Sequence, residues 1–239
     1  MTRNFLARWF ALVLLALLCG CAAAPHVATE GRQRSDMLLQ SQLQAARQAS
    51  SQGGPPRVIF AGFALNSLSK AFHSDVLLAE KAARVADPHA IILRLGNPAL
   101  GDPSDWPLAT RENVAVVLRE VGSIARPQDK VLILFTSHGS RNALHINASK
   151  TEIGVITPAD LQEWLGALRD KPTLLVISAC FSGSFLEPLR SPTRIILTAS
   201  SRDRSSFGCQ FNSRNTFFVE ELWGHQALGN LSTAELMAR

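Results

Sequence analysis

Short apolar runs alternate with longer amphipathic stretches from residue 57 onwards. The runs show no regular polar alternation, which is typical of strands covered on both faces, as in a parallel sheet. The predicted strands cover residues 57–62, 90–95, 130–136, 173–177 and 194–199. The predicted helices cover residues 68–85, 111–125, 158–168 and 215–228, and a short hairpin or loop is predicted over residues 141–156. This alternation predicts an α/β fold of three layers, in which helices cover both faces of a mostly parallel central sheet.

The first residues have another pattern. Two arginines precede the apolar run 9–18, which is too short to span a bilayer comfortably. The run leads into Leu18-Cys19-Gly20-Cys21, which resembles a bacterial lipobox and implies cleavage after Gly20 and lipid on Cys21. An ordinary secretory signal that is cut near residues 22–24 is the alternative.

We therefore expect a lipoprotein signal peptide over residues 1–20 and a mature protein held by the lipid on Cys21 in the bacterial cell envelope. Ala22, and not an aspartate, follows the lipidated cysteine, so the resemblance implies sorting to the outer membrane, facing the periplasm, for a Gram-negative host. Residues 21–56 are rich in glutamine and end in Gly-Gly-Pro-Pro, which predicts a flexible tether with at most a weak helix over 37–49. The folded domain is then expected over residues 57–239.

Charge and motifs exclude several classes of protein. The formal net charge is +5, but no basic stripe with interleaved aromatic residues accompanies it, so nucleic acid is not an expected partner. The sequence has neither a Gly-x-Ser-x-Gly elbow nor a glycine-rich phosphate loop, which disfavours a serine hydrolase and a nucleotide-binding protein. Four histidines lack metal-ligand spacing, so neither a metal nor another cofactor is expected; they are His73, His89, His145 and His225.

Candidate chemistry lies at the ends of two predicted strands. One strand ends in Ser137-His138-Gly139-Ser140, and another ends in Ser178-Ala179-Cys180 followed by the turn 181–184. Catalytic groups gather at the carboxyl ends of parallel strands, and a cysteine with a histidine suffices for nucleophilic acyl transfer. The plain alternative is that His138 is a polar residue at a strand end and that Cys180 is a small buried side chain.

These two strand ends, with the segment 197–209, resemble the signatures of the legumain-type cysteine peptidases, family C13. The resemblance covers roughly residues 57–225 and implies a caspase-like fold that acts on peptides or proteins. It implies that Cys180 is the nucleophile, that His138 is the general acid and base, and that the backbone N–H groups of Gly139 and Cys180 form the oxyanion hole. The turn 181–184 could supply further N–H groups that stabilise the thiolate.

The resemblance also indicates a specificity pocket that departs from the legumain pattern. Ser178 replaces an acid two residues before the nucleophile, the uncharged Asn212 aligns with a second acid, and the position of an arginine falls near Phe72 or His73. By resemblance, the segment Ser205-Ser206-Phe207 lines the substrate backbone. A pocket without paired charges should not select asparagine by the legumain mechanism. Asn66 is a candidate for a third catalytic member.

Two cysteines remain after removal of Cys19 and lipidation of Cys21. In an oxidising compartment they most often form a disulfide, and one between Cys180 and Cys209 would silence the nucleophile. By resemblance, Cys209 is instead a structural free thiol. The main hypothesis is a cysteine endopeptidase of the envelope. The alternatives are an inactive envelope lipoprotein that binds peptides or a protein partner, and a transpeptidase that uses the same two residues.

Overall fold

The structure, a computed structural model, describes residues 23–98, 105–148, 153–210 and 212–224. The described strands are β1 (Val58–Ala64), β2 (Ile91–Gly96), β3 (Lys130–Thr136), β4 (Gly139–Ser140), β5 (Ala143–Asn147), β6 (Ile153–Ile156), β7 (Thr173–Ser178) and β8 (Arg194–Thr198). Five of them form a parallel sheet in the order β2-β1-β3-β7-β8. The five predicted strands are confirmed, with ends that differ by at most two residues.

Helices cover both faces of this sheet. They are α1 (Ala23–Ser51), α2 (Ala71–Ala86), α3 (Arg111–Ile124), α4 (Pro158–Trp164) and α5 (Phe217–Trp223), with short 3-10 helices at Gly166–Leu168 and Ser182–Phe185. The predicted three-layer α/β fold is therefore confirmed. The last predicted helix is shorter than expected, and residues 225–228 of that prediction lie outside the described residues. None of the described helices is long and apolar enough to cross a membrane.

Two apolar clusters hold the layers together. Phe63 and Phe135 stack at 4.7 Å on the face covered by α1, α3 and α4, while Phe60 lies on the opposite face with α2 and α5. All seven residues of β1 are buried, as expected for a central strand with helices on both sides. Burial of one such large apolar side chain stabilises the fold by about 1.5–3 kcal/mol.

The predicted hairpin over residues 141–156 is confirmed as a small antiparallel sheet. Its strands follow the order β4-β5-β6, and β4 begins three residues after the end of β3. Asn142 adopts a positive φ of 61° in the turn between β4 and β5. Asparagine tolerates this left-handed conformation better than most residues. The hairpin therefore starts at the carboxyl edge of the main sheet, beside the candidate residues.

The N-terminal segment differs from the predicted tether. Residues 23–51 form one continuous helix, and Leu39, Leu43 and Ala46 of this helix are buried in the core. Their spacing of four and three residues places them on one face of α1. The tether prediction failed because this stripe is narrow and lies among glutamines. The folded domain therefore begins before residue 57, and Cys21 with the predicted signal 1–20 lies outside the described residues.

Polar contacts fasten α1 to the edge of the domain. The Gln42 side chain donates to the Arg94 carbonyl at 3.2 Å and accepts from the Arg94 N–H at 3.1 Å. This pair of hydrogen bonds satisfies backbone groups on β2, which is an edge strand. The Arg47 guanidinium donates to both carboxylate oxygens of Glu120 on α3, at 2.8 and 2.5 Å. The glutamines of this segment suggested a flexible tether, but one of them, Gln42, bonds specifically to the backbone of the edge strand β2.

Candidate active site

The two candidate residues follow neighbouring strands at matching positions. Thr136 at the end of β3 pairs in register with Ser178 at the end of β7, and the Ser137 N–H donates to the Ser178 carbonyl at 3.1 Å. His138 and Cys180 each come two residues later in the chain. Both residues are half-buried. The topology therefore brings the imidazole segment and the thiol segment to the same point of the carboxyl edge.

Gly139 lies directly against the backbone of Cys180. A Cβ atom built on Gly139 would lie 2.6 Å from the Cys180 carbonyl oxygen and 3.1 Å from the Ala179 Cβ. Contacts this short exclude any side chain unless the backbone moves, so glycine is required here for close approach. The segment after β3 is therefore packed onto the segment after β7 at the position of the two candidate residues.

Ser206 contacts the Cys180 thiol through three of its atoms. The Ser206 N–H donates to the Cys180 Sγ at 3.3 Å, and the Ser206 Oγ and carbonyl oxygen lie 3.6 and 3.9 Å from the sulfur. Ser206 of the predicted segment 205–207 therefore contacts the Cys180 thiol directly. Ser205 is exposed, and Phe207 is 76% exposed.

The turn after Cys180 was expected to supply free N–H donors, and in the structure these donors are already hydrogen-bonded. The N–H groups of Phe181, Ser182, Gly183 and Ser184 donate to the Arg204 carbonyl, the Ser200 Oγ, the Ser200 carbonyl and the Phe181 carbonyl. These bonds fix the turn against the segment that follows β8. The prediction that this turn supplies free N–H groups to the thiol is wrong, because its donors are already used, and the N–H group that contacts the sulfur comes from Ser206.

Phe181 completes this turn in a strained conformation. Its φ of 57° and ψ of 17° lie in the left-handed region, which costs a non-glycine residue about 1–2 kcal/mol. The Phe181 N–H donates to the Arg204 carbonyl at 2.8 Å, and the Ser184 Oγ donates to the Phe181 carbonyl at 2.7 Å. The surrounding hydrogen bonds therefore hold the residue next to Cys180 in a sharp turn.

His138 lies in a partly desolvated environment. Its ring packs against Phe72 in a T-shaped arrangement, with centroids 5.1 Å apart, and the His145 N–H donates to the His138 carbonyl at 2.9 Å. Burial, and next the charge of His145, lower the pKa of His138 below its usual 6.5. The imidazole is therefore neutral at pH 7 and able to accept a proton.

The predicted pocket residues are divided between the interior and the surface. Ser178 is 2% exposed, and its Oγ forms a hydrogen bond with the Thr216 Oγ1 at 2.9 Å. Asn212 is exposed and lines a surface cavity with Lys70, Ser74, Ser213 and Arg214. These positions do not form one compact pocket.

The two positions proposed for the missing arginine also have different surroundings. Phe72 supports His138, whereas His73 stacks on Trp106 at 3.7 Å. Asn66 is buried, and its Nδ2 donates to the His145 carbonyl at 3.4 Å. Asn66 thus contacts the strand next to His138, and its described hydrogen bonds include no bond to the imidazole.

A buried carboxyl group beneath the site was not predicted. Asp75 on α2 is fully buried and accepts four hydrogen bonds, from the Thr136 Oγ1 (2.7 Å), the Thr216 N–H (2.9 Å), the Thr216 Oγ1 (2.8 Å) and the Asn215 Nδ2 (3.2 Å). Burial raises the pKa of Asp75 from its usual 3.8 to about 6, although the four hydrogen bonds act to lower it. Perturbed carboxyl groups of this kind occur preferentially near functional sites.

Cys180 and Cys209 are both free and half-buried. Burial, and next the charge of Cys180, raise the pKa of the Cys209 thiol. A cysteine with a raised pKa is a poor nucleophile, which agrees with the structural role predicted for Cys209. Among the described residues, no group of three or more histidine, cysteine or acidic side chains could hold a metal ion.

The comparisons with known proteins concern both the sequence and the fold. Residues 114–238, more than half of the chain, match the model of the Peptidase C13 family. No curated protein matches the chain. The structure is similar to that of caspase-1 from Spodoptera frugiperda, with 14% sequence identity and a TM-score of 0.49 over 71% of this chain and 67% of the caspase chain.

Proposed function

Because the chain belongs to the peptidase C13 family, we propose that it is a cysteine endopeptidase in which Cys180 is the nucleophile and His138 is the general acid and base. The observation that carries this proposal is the matching position of the two residues after the paired strands β3 and β7, with Gly139 packed on the Cys180 carbonyl. The substrates are peptides or proteins.

The first half of the reaction forms a thioester. Neutral His138 takes the proton of the Cys180 thiol, and the sulfur attacks the peptide carbonyl carbon, which becomes tetrahedral. The N–H groups of Gly139 and Cys180 bind the resulting oxyanion. The C–N bond then breaks, and the His138 imidazolium gives its proton to the leaving amine.

The second half regenerates the thiol. His138 takes a proton from water, the hydroxide attacks the thioester carbonyl, and the S–C bond breaks to release the carboxylic acid. The thiolate recovers its proton from the imidazolium. If an amine replaces water in this step, the product is a new peptide bond, and the enzyme acts as a transpeptidase.

The surroundings of the thiol favour substrates with uncharged side chains near the cleaved bond. The acid that legumains carry before the nucleophile is Ser178 here, and its hydroxyl is engaged by Thr216. Phe207 and Phe217 are 76% and 64% exposed. The segments that carry them lie close together, because a Cβ atom built on Gly208 would lie 2.6 Å from the Phe217 backbone nitrogen. Two exposed aromatic rings beside Ser206 offer an apolar surface to a bound peptide.

We further propose that lipid on Cys21 anchors the enzyme in the bacterial envelope, with the domain in the periplasm. The lipobox-like sequence before Cys21 supports this placement. Metabolic labelling with a radioactive fatty acid tests it directly. The wild-type chain should incorporate label and fractionate with membranes, and Cys21→Ala should do neither. Label that persists in Cys21→Ala would overturn the anchor.

The test of the catalytic proposal uses the full chain purified in mild detergent and a library of internally quenched peptides. Wild type should cleave a subset of the library. Cys180→Ala should lose all cleavage, and His138→Ala should lose about 10²–10⁴-fold. Cys209→Ser is the matched control, because it removes the neighbouring thiol and should retain activity.

Labelling with iodoacetamide at pH 6 and pH 8 separates the enzyme from the inactive lipoprotein. Rapid modification of Cys180 at pH 6 that slows in His138→Ala supports an activated thiol. If Cys180 reacts only after reduction and no peptide is cleaved, the chain is a binding protein and the catalytic proposal is wrong.

A further inference from the structure

A hydrogen-bonded chain connects Asp75 to the ends of both strands that lead into the site. The Thr136 Oγ1, at the end of β3, donates directly to the Asp75 Oδ2 at 2.7 Å. Ser178, at the end of β7, reaches the same carboxylate oxygen through the Thr216 Oγ1, with distances of 2.9 and 2.8 Å. His138 and Cys180 follow these two strand ends by two residues each. A single carboxyl group is thus linked to both strand ends, directly to Thr136 and through Thr216 to Ser178.

The proton count fixes the direction of the chain. Thr216 has one hydroxyl proton, and it goes to the Asp75 Oδ2. The Thr216 Oγ1 is then an acceptor for the Val219 N–H at 3.4 Å and for Ser178, so the Ser178 hydroxyl must donate. Ionised Asp75 therefore orients the hydroxyls of Thr216 and Ser178, and the Ser178 hydroxyl hydrogen can point only towards the Thr216 Oγ1. Low local dielectric strengthens such a fully satisfied network.

The four described donors to Asp75 are all neutral. They are two hydroxyls, one backbone N–H and one side-chain amide, and none carries the positive charge that usually accompanies a buried carboxylate. Burial of a carboxyl group among neutral donors opposes its ionisation. The network around Asp75 is therefore not stabilised by a strong ion pair. Its geometry, in contrast, is specific, because it joins α2, the end of β3 and the start of α5 at one point.

We propose that Asp75 is a positioning residue of the active site, which holds the ends of β3 and β7 in register through Thr136, Thr216 and Ser178 and so sets the placement of His138 relative to Cys180. The inference rests on the proposed function for its kinetic consequence. Displacement of about 1 Å in an active site lowers turnover by as much as about 10²-fold.

The central variant is Asp75→Asn, which keeps the shape and places an amide where the hydroxyls donate. Turnover per titrated Cys180 thiol should fall by about tenfold or more, with a smaller change in KM. Asp129→Asn is the matched control, because Asp129 is equally withdrawn from solvent but lies before β3, at the opposite edge of the sheet. Turnover per thiol in this control should stay within about twofold of wild type.

Two further measurements separate positioning from a purely structural role. Thr216→Val removes the hydroxyl link, and Thr216→Ser restores it, so turnover should fall in the first and recover in the second. In Ser178→Ala, the added effect of Asp75→Asn should be smaller than in wild type, because the chain is already cut. Normal turnover per thiol in both Asp75→Asn and Thr216→Val would overturn the proposal, even if their stability is reduced.

The rate of iodoacetamide labelling distinguishes this failure from failure of the proposed function. Labelling of Cys180 depends on the placement of the thiol and needs no peptide cleavage. If wild type cleaves nothing, the peptidase proposal fails, and slower labelling of Cys180 at pH 6 in Asp75→Asn than in Asp129→Asn still supports positioning. Equal labelling rates in wild type and Asp75→Asn would sink the positioning role.

Discussion

Asp75 and Asp129 are buried carboxyl groups at opposite edges of the same sheet, and they are held in opposite ways. Asp129, before β3, accepts hydrogen bonds from the Arg126 guanidinium at 2.7 Å and from the Arg57 N–H at 2.9 Å. Burial acts to raise its pKa, but the bonds from Arg126 and Arg57 and the charge of Arg126 outweigh burial and hold the pKa below 3.8. Asp75, at the carboxyl edge, has neutral donors and a pKa raised to about 6.

The difference shows where the fold places its stability and where it accepts a cost. An ionised Asp129 stabilises the folded state, since folding lowers its pKa. An ionised Asp75 opposes folding, since folding raises its pKa. Residues that oppose folding concentrate at functional sites, where geometry matters more than stability. The strained Phe181 lies at the same edge as Asp75, next to Cys180.

The largest expected effect contrasts a glycine at the carboxyl edge with a glycine outside the sheet. Gly139→Ala places a Cβ atom 2.6 Å from the Cys180 carbonyl oxygen, and the backbone must move. Turnover of the peptide substrate should fall by about 10²-fold, because an oxyanion donor and the thiol are displaced together. Gly166→Ala, in the 3-10 helix between α4 and β7, meets nothing within 4 Å and should keep turnover within about twofold. Equal activity of the two variants would contradict the role given to Gly139.

The pH dependence of stability should differ in sign between the two carboxyl groups. As pH rises from about 4 to about 7, the unfolding free energy of wild type relative to Asp75→Asn should fall by up to about 3 kcal/mol, because the unfolded carboxyl ionises first. Relative to Asp129→Asn, wild type should lose stability only as pH falls below about 4, because Asp129 ionises more readily in the folded state.

Urea denaturation of the three proteins at several pH values measures both slopes. Each variant needs its own baseline, because the unfolded state contributes to the difference. A wild-type curve that runs parallel to that of Asp75→Asn from pH 4 to pH 7 would show that Asp75 keeps an ordinary pKa. The comparison between the two edges would then lose its basis.

The smallest expected effect concerns the histidine beside His138. His145→Gln removes a charge that lowers the pKa of His138, so this pKa should rise, and the acid limb of the activity profile should move to higher pH. The shift should be modest, because burial of His138 is the larger cause and remains. His89→Gln, an exposed histidine before β2, is the control and should leave the profile in place. An unmoved limb in His145→Gln would exclude this influence.

The elements and the two central residues could be predicted because their signals are local. Unbroken apolar runs identified the five parallel strands, and the sequence Thr157-Pro158-Ala159-Asp160 identified a helix start that the structure confirms as a capping box. The pairing of β3 with β7 then brings the segments that carry His138 and Cys180 to the same end of the sheet. The α/β class and the placement of these two segments were accessible from sequence, whereas the catalytic roles of the two residues stay a prediction.

The missed features depend on contacts between distant parts of the chain. Asp75 is a charged residue on the buried face of α2, with Phe72 and Ala79, and its partners Thr136 and Thr216 are 61 and 141 residues away in the sequence. Ser206 reaches the thiol because a loop after β8 folds back across β7. Helix α1 had a weak local signal, since its apolar stripe of Leu39, Leu43 and Ala46 was overshadowed by the surrounding glutamines.

The continuity of α1 bears on how far the domain can travel. The helix begins at Ala23, residues 30–34 are exposed and Ser35 is buried, so Ala23 lies about 18 Å along the helix from Ser35 at 1.5 Å per residue. Lipid on Cys21, as proposed above, would then hold the domain through a rigid helix and not through a flexible tether. The helix would then set the distance between Cys180 and the bilayer surface. Protein substrates whose cleavable loop lies at that distance would reach Cys180 most often.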